Sequence, residues 1–420
     1  MNFKTLATSA LALSLATGVA RAETGAADVI GTYADIAAAA YGDSLSTAQA
    51  LSDAVDALIA SPSEATLEAA KAAWKASRVP YQQTEVYRFG NAIVDDWEGK
   101  VNAWPLDEGL IDYVDDSYIV SDENEYADLN IIANPQVSIA GADVDAGTIT
   151  PELIGEVLNE ADGIETNVAR GYHAIEFLLW GQDLNGTDPG AGARPYTDFV
   201  TGDGCTGGNC DRRVAYLRAA TDLLVADLQE MAANWDEGGA ARAEVESDPD
   251  GLLRILTGMG SLSYGEQAGE RMRLGLMLND PEEEHDCFSD NTHWSHYYDG
   301  LGIQNVYLGH YTRVDGTLVE GPALASLVAD IDPELDAEMR ARLTTTMEAL
   351  QALADAAEGG FAYDQMLAPG NAEGEALIMG GVNGLIDQTK SIERVVTALG
   401  LAGIEVEGSD SLDNPSAVFQ

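Results

Sequence analysis

A chain of 420 residues with 46% hydrophobic content is long enough for two domains with proper cores, and too apolar to be generally disordered. Its 71 acidic against 21 basic residues give a formal charge of −50, a surface that repels nucleic acid and anionic membranes. Such a surface attracts cations only in a general way, and a solvated acidic coat accounts for it without a specific metal site.

Lys4 precedes an apolar run from Leu6 to Val19, and Ala20-Arg21-Ala22 has the small-x-small pattern of a secretory cleavage site before Glu23. Residues 1–22 are therefore predicted to be a signal peptide. Their removal takes away Lys4 and Arg21 and no acid, so the charge of −50 becomes −52. The apolar run is too short to span a bilayer, no cysteine follows it to accept a lipid, and no later stretch reaches the eighteen or so apolar residues of a transmembrane segment. The expectation is a soluble exported protein, most simply periplasmic.

Beyond the signal, long Ala- and Leu-rich segments alternate with Gly, Pro and Asp clusters, and strand-like alternation is scarce. This predicts an all-α fold of two helical-bundle domains packed together, residues 23–245 and 246–405, with a loosely ordered tail at 406–420. A first helix covers about Ala26 to Ala60. Ser61-Pro62-Ser63-Glu64 then supplies an N-cap, a proline at the first helical position and a capping-box glutamate for a helix running to about Phe89, bent at Pro80. On it Trp74, Arg78, Tyr81 and Glu85 follow spacings of four, three and four. They occupy core-like positions, where an Arg and a Glu point either to a polar site inside the bundle or to a structural ion pair.

Gly90 to Thr150 reads as a long irregular connection containing Asn102-Ala103-Trp104-Pro105-Leu106-Asp107-Glu108. Thr150-Pro151-Glu152 then starts a helix predicted to end near Gly181. It carries Gly171-Tyr172-His173-Ala174-Ile175-Glu176-Phe177-Leu178-Leu179-Trp180, which places one imidazole and one carboxylate three residues apart in an apolar run. An ionised carboxylate buried without a partner costs several kcal/mol, so Glu176 must be protonated, paired or bound to a cation. In the oxidising compartment the signal implies, Cys205 and Cys210 can close a disulfide across a flexible Thr-Gly-Gly-Asn loop. A further helix runs from about Asp211 to Trp235.

Gly238-Gly239 and the acidic run to Asp248-Pro249-Asp250 mark the boundary between the domains. The second domain has helices at about Asp250 to Leu278, Gly321 to Glu358 with a break at Pro333, and Asn371 to Leu399. No convincing repeat relates the halves. The first of these helices carries Glu266 and Arg271, whose default role is ion pairing. Four of the five histidines fall between positions 285 and 310; His293 and His296 have helical i, i+3 spacing and could hold a metal with Asp290, although loop histidines more commonly only hydrogen-bond.

A neutral imidazole and a carboxylate suit zinc or iron, and two protein ligands are too few. Glu85 is the first candidate for the third, with Asp290 or His293 behind it. Trp74, Arg78, Tyr81, Trp104, Glu266 and Arg271 are candidate pocket-lining residues. His-x-x-Glu lacks the second histidine of His-Glu-x-x-His, which favours binding over peptide hydrolysis. A purely structural role, Glu176 protonated or salt-bridged to Arg78, is the remaining alternative.

These residues resemble a known family. Gly171-x-His173-x-x-Glu176, the run from Asn102 to Glu108, Gly269-Glu270-Arg271-Met272 and Phe288-Ser289-Asp290-Asn291-Thr292-His293 together resemble the imelysin family, particularly its branch named for iron-regulated protein A. The resemblance spans nearly the whole chain after the signal. It implies two related helical-bundle domains, export to the bacterial periplasm or outer membrane, a link to iron acquisition and a metal held at His173 and Glu176. The expected partners are a metal ion or iron-related small ligand and cell-envelope iron-uptake components. The family's earlier placement among metallopeptidases makes a metal-dependent peptidase the alternative.

Overall fold

The computed structural model describes residues 25–118, 124–247 and 250–419. The signal peptide predicted at 1–22 lies outside the described residues, as do Asp248 and Pro249 of the predicted domain boundary.

Helix α1 (Ala26–Ala60) buries Tyr33, Ile36, Ala40, Leu51, Val55 and Leu58 along one side. Helix α2 (Glu64–Gln82) starts two residues later than the sequence predicts. Ser63, in extended backbone, accepts from the Thr66 amide at 3.3 Å, and Thr66 Oγ1 accepts from the Ser63 amide at 3.0 Å. Pro62 therefore precedes the cap, and Ser61 ends α1. Nor does α2 reach Phe89: one turn past the interior Pro80 the chain tightens into a 3₁₀ turn at Glu85–Tyr87. The predicted irregular connection holds α3 (Ala92–Glu98), α4 (Glu108–Ile111) and a hairpin of β1 (Gln136–Ile139) and β2 (Ala142–Asp145), turned by Ala140 and Gly141 at positive φ.

The helix predicted from Thr150 to Gly181 is interrupted. After a π-helical turn at Leu153–Leu158 the backbone becomes extended at Asn159 and left-handed at Glu160 and Asp162, and α5 (Gly171–Trp180) begins afresh. Gly171 permits the restart. Its φ is +81°, and a Cβ there would stand 2.5 Å from the Val101 carbonyl oxygen, which accepts from the Tyr172 amide at 2.7 Å. A disulfide joins Cys205 to Cys210, where α6 (Cys210–Trp235) starts. Next come α7 (Ala240–Glu246) and α8 (Gly251–Ser261), which continues through a π-helical stretch, Leu262–Leu274, into α9 (Gly275–Leu278).

Helix α10 (Thr292–Leu308) leads to the short strands β3 (His310–Thr312) and β4 (Leu318–Glu320). α11 (Leu324–Ile331) and α12 (Pro333–Glu358) meet at Asp332, whose carboxylate caps α12 through the amides of Glu334 and Leu335. α13 (Tyr363–Leu367), α14 (Ala372–Ala398) and α15 (Asp410–Asp413) complete the order.

The fold is all-α apart from the two hairpins. α1, α2 and α6 pack together, α12, α14 and the π-helical stretch form a second group, and α10 lies between, touching α2 and α12. One apolar cluster runs through both groups, from Tyr41 and Trp235 to Leu343 and Leu385. The final segment lies along the π-helical stretch, where Ser411 Oγ donates to the Gly269 carbonyl at 2.9 Å and the Glu407 amide to Ser261 Oγ at 3.1 Å.

Gly171→Ala combines left-handed strain with a backbone collision, so a loss of about 2–4 kcal/mol is expected. It should appear as a lower urea midpoint with an unchanged slope. A shift below about 0.5 kcal/mol would mean that α5 does not depend on this approach.

Candidate functional site

Arg78 projects from α2 into the space between the two helix groups and is 1% exposed. Its guanidinium donates to Asn102 Oδ1 at 2.7 Å and to Asp286 Oδ1 at 2.9 Å, and lies 4.8 Å from the centre of the Tyr172 ring. Trp74, one turn earlier, donates its indole N–H to the Tyr172 carbonyl at 2.9 Å, and Tyr81 packs on the Tyr172 ring. Asp286 is gripped on its other oxygen by Asn291 Nδ2 at 2.8 Å and Ser295 Oγ at 2.5 Å.

The residues beside these anchors form the site. His173 follows Tyr172 and His285 precedes Asp286, and the two imidazoles face each other with ring centres 4.9 Å apart. His173 Nδ1 lies 3.0 Å from Glu176 Oε2, and the Ser289 amide donates to Glu176 Oε1 at 3.0 Å. Both oxygens of this fully buried carboxylate are thus engaged. His173 Nε2 is buried with no hydrogen-bond partner. One nitrogen each of His173 and His285 and one oxygen of Asp286 lie within 4.8 Å of one another.

Protonation follows from burial. His173 is pushed down to about 3, first by desolvation and then by the Arg78 charge, and desolvation with Arg271 holds His285 well below the ordinary imidazole range. Burial drives Glu176 well above the carboxylate range, with Asp286 adding to the rise. Burial also pushes Asp286 upward, but Arg78, His173 and its hydrogen bonds outweigh it and leave the group below its usual value. The floor therefore presents two neutral imidazoles and one ionised carboxylate, a donor set that fits iron or zinc.

His173 and His285 open on a cavity of about 590 Å³ that Trp104 and Phe288 also line. Asp107, Glu108, Asp183, Asp280, Glu282 and Glu284 give its walls carboxylates, and neither Lys nor Arg is among the lining residues.

Residues 37–392 match the family model described as Imelysin. The chain belongs to the imelysin family. It is similar to iron-regulated protein A of Synechococcus elongatus, 42% identical over 50 residues; the match spans 12% of this chain and only 14% of that relative's length. Among solved structures, an iron-regulated protein A precursor from Parabacteroides distasonis shares the fold with a TM-score of 0.63 at 22% identity, covering 91% of this chain and 97% of that one. An imelysin-like protein from Psychrobacter arcticum matches with a TM-score of 0.57 at 17% identity, covering 90% and 97%.

In this imelysin the residues singled out by sequence take different places. His173 lies in the donor group, whereas Glu176 stands behind it, holding the ring through Nδ1. Glu85 does not join them. Its carboxylate is bound by Arg271 at 2.6 Å, in a buried network where Arg271 also meets Glu266 at 2.8 Å and Asp299 at 3.1 Å. His293 turns to Glu358 at 3.4 Å, away from His173. Asp290 enters a separate group with Asp183 and Asp364, Trp104 lies edge-on to His285, and Cys287 is a free thiol on the cavity wall.

His285 and Asp286 were not singled out by spacing, because adjacent residues give no helical or strand signal. Their available signal was the dipeptide itself, a histidine and an acid beside the apolar Phe288 after a run of glutamates.

Asp286→Asn leaves the Arg78 charge buried and unpaired, with an expected cost of about 3–5 kcal/mol. Asp387→Asn, which removes an exposed partner of Arg342, should cost less than about 1 kcal/mol. Urea unfolding of both variants checks the contrast, and equal losses would show that Arg78 does not rely on Asp286.

Proposed function

We propose that this imelysin is a periplasmic protein that binds an iron ion, or an iron-related small ligand, and serves iron acquisition alongside cell-envelope uptake components. One observation carries the reading: His173, whose buried Nε2 has no partner, brings a nitrogen within 4.8 Å of donor atoms of His285 and Asp286, beside a cavity with acidic walls. His173, His285 and Asp286 would hold the metal, and Glu176 would orient His173. Zinc suits the same donors and is the competing ion. Exchange with solvent would pass through the cavity, whose carboxylates raise the local concentration of cations. Residues 23–245 and 246–405 are proposed as two domains that bring the donors together from opposite sides.

Binding is favoured over hydrolysis because both Glu176 oxygens are already engaged, one with the His173 ring and one by the Ser289 amide, and burial raises the group far above the carboxylate range, which leaves it poorly placed to take a proton from water. Chelator-sensitive cleavage of an unfolded protein that disappears in Glu176→Gln would restore the peptidase reading.

Metal analysis of protein purified without a histidine tag, at about 0.15 M salt to screen the acidic coat, tests the proposal. Wild type should carry iron or zinc in simple stoichiometry, and His173→Ala and His285→Ala should lose it. Glu176→Gln should weaken binding on the order of 10–100-fold, as removal of a carboxylate behind a ligating histidine does. Equal, low metal content in wild type and variants would end the metal-binding reading.

A further inference from the structure

Beside the same cavity, which Asp183 lines, three aspartates from three separate parts of the chain converge. Asp183 comes just after α5, Asp290 from the turn before α10 and Asp364 from α13, and one oxygen of each lies within 4.8 Å of the others. Asp364 is 1% exposed, and its Oδ2 has no hydrogen-bond partner. The same is true of Asp290 Oδ1. Glu284 is also 1% exposed; burial raises it most, followed by Asp364, whose carboxyl shares a hydrogen bond with it, and then by Asp290. Among the described residues none of the four forms an ion pair.

Asp183 accepts from the Asn185 amide at 2.8 Å and from its side chain at 2.7 Å, but the open oxygens of Asp290 and Asp364 have no donor, and carboxylates of one sign held this close are costly. Two arrangements relieve that cost. The carboxyls can share protons, or a cation can bind between them. Burial, with repulsion from Asp364 and Asp183, pushes Asp290 up to about 7; burial raises Asp364, and burial with the Asp364 charge raises Asp183, so the strain is present without an ion.

We propose that Asp183, Asp290, Asp364 and Glu284 form a second cation site, for a hard divalent ion of the size of calcium. The donors are all oxygens, unlike the histidine pair, and oxygen-only sets select calcium, magnesium or manganese over zinc and ferrous iron. Size narrows the choice. Calcium–oxygen distances of about 2.3–2.6 Å place opposite ligands about 5 Å apart, which accommodates the spread of these oxygens, whereas magnesium at about 2.1 Å needs a tighter shell. Asp183 and Glu284 line the cavity, so an ion can enter from it. Because the ligands come from both helix groups, the bound ion would tie them together beside the cavity.

Isothermal titration of the chelator-treated full chain with calcium chloride at about 0.15 M sodium chloride, paired with thermal unfolding, tests this. Wild type should bind one calcium per chain and unfold at a higher temperature until that equivalent is filled. Asp364→Asn and Asp290→Asn, each nearly isosteric, should weaken calcium at least tenfold. Each should also unfold at the same or a higher temperature than wild type when calcium is absent, since a repelling charge has gone. His173→Ala should keep the calcium response while losing iron and zinc, so failure of one site is distinguishable from failure of the other. A wild type indifferent to calcium means shared protons and overturns the proposal. So does a calcium response that survives in both Asn variants, which would belong to the general acidic coat, or a magnesium response as strong as that of calcium.

Discussion

The structure turns on the burial of a charge that cannot be given up. Arg78 remains protonated at any accessible pH, so enclosing it between two helix groups obliges both to supply acceptors. Asn102 answers from the first group, Asp286 from the second, and Tyr172 offers its ring face. The neighbours of these partners are the histidines of the site. Fixing Tyr172 fixes His173, and fixing Asp286 fixes His285, so the clamp that joins the groups also sets the imidazoles 4.9 Å apart. A second exchange runs in the opposite direction, with Arg271 of the π-helical stretch reaching Glu85 beyond the end of α2. The two arginines fasten the interface from both sides.

The same guanidinium sets the protonation of the floor. Its positive charge adds to desolvation in keeping His173 neutral, and it keeps Asp286 ionised against burial. A single proton lies between His173 Nδ1 and Glu176. With it on the nitrogen, Nε2 has a free lone pair; with it on the carboxyl, Nε2 carries the hydrogen and cannot ligate. A cation at Nε2 therefore selects the first arrangement and holds Glu176 ionised, coupling metal uptake to loss of the proton that burial otherwise retains.

Much of the fold was legible because it is local. The first helix, the helix after the disulfide and the long C-terminal helices follow from apolar periodicity and from breakers such as Pro333. Errors fell where tertiary contact overrides local pattern. The helix predicted from Thr150 continues on paper through Gly171, but the approach of Val101 requires a positive φ there and starts a new one. At the site, an isolated His and Glu in an apolar run correctly marked a buried polar centre. The stripe through Trp74, Arg78 and Tyr81 also marked a real interior face, yet it extended to Glu85 a register that ends at Gln82, and so gave the carboxylate of an ion pair to the wrong partner. His285 and Asp286 lie more than a hundred residues from His173, and only chain folding joins them.

The distribution of charge explains why the cavity is acidic while the interface is not. With 21 basic residues against 71 acids, most acids cannot have a cationic partner of their own. Of the buried arginines, Arg78 and Arg271 go to the interface, where they neutralise Asp286, Glu85 and Asp299, while Arg170, Arg194 and Arg213 pair with Asp227, Asp112 and Asp198. The cavity wall receives none, and its carboxylates meet only neutral donors, as Asp107 does from Tyr118, Asn124 and Thr166, or are left to water, protons or incoming cations. A field of that sign draws any cation toward the opening, so it cannot discriminate between them. Discrimination must come from donor chemistry. Among the described lining residues imidazole nitrogen comes from His173 and His285, whose rings lie 4.9 Å apart. The environments thus run from unselective attraction at the carboxylates to selective coordination at the imidazoles, and this follows from where the scarce arginines were placed.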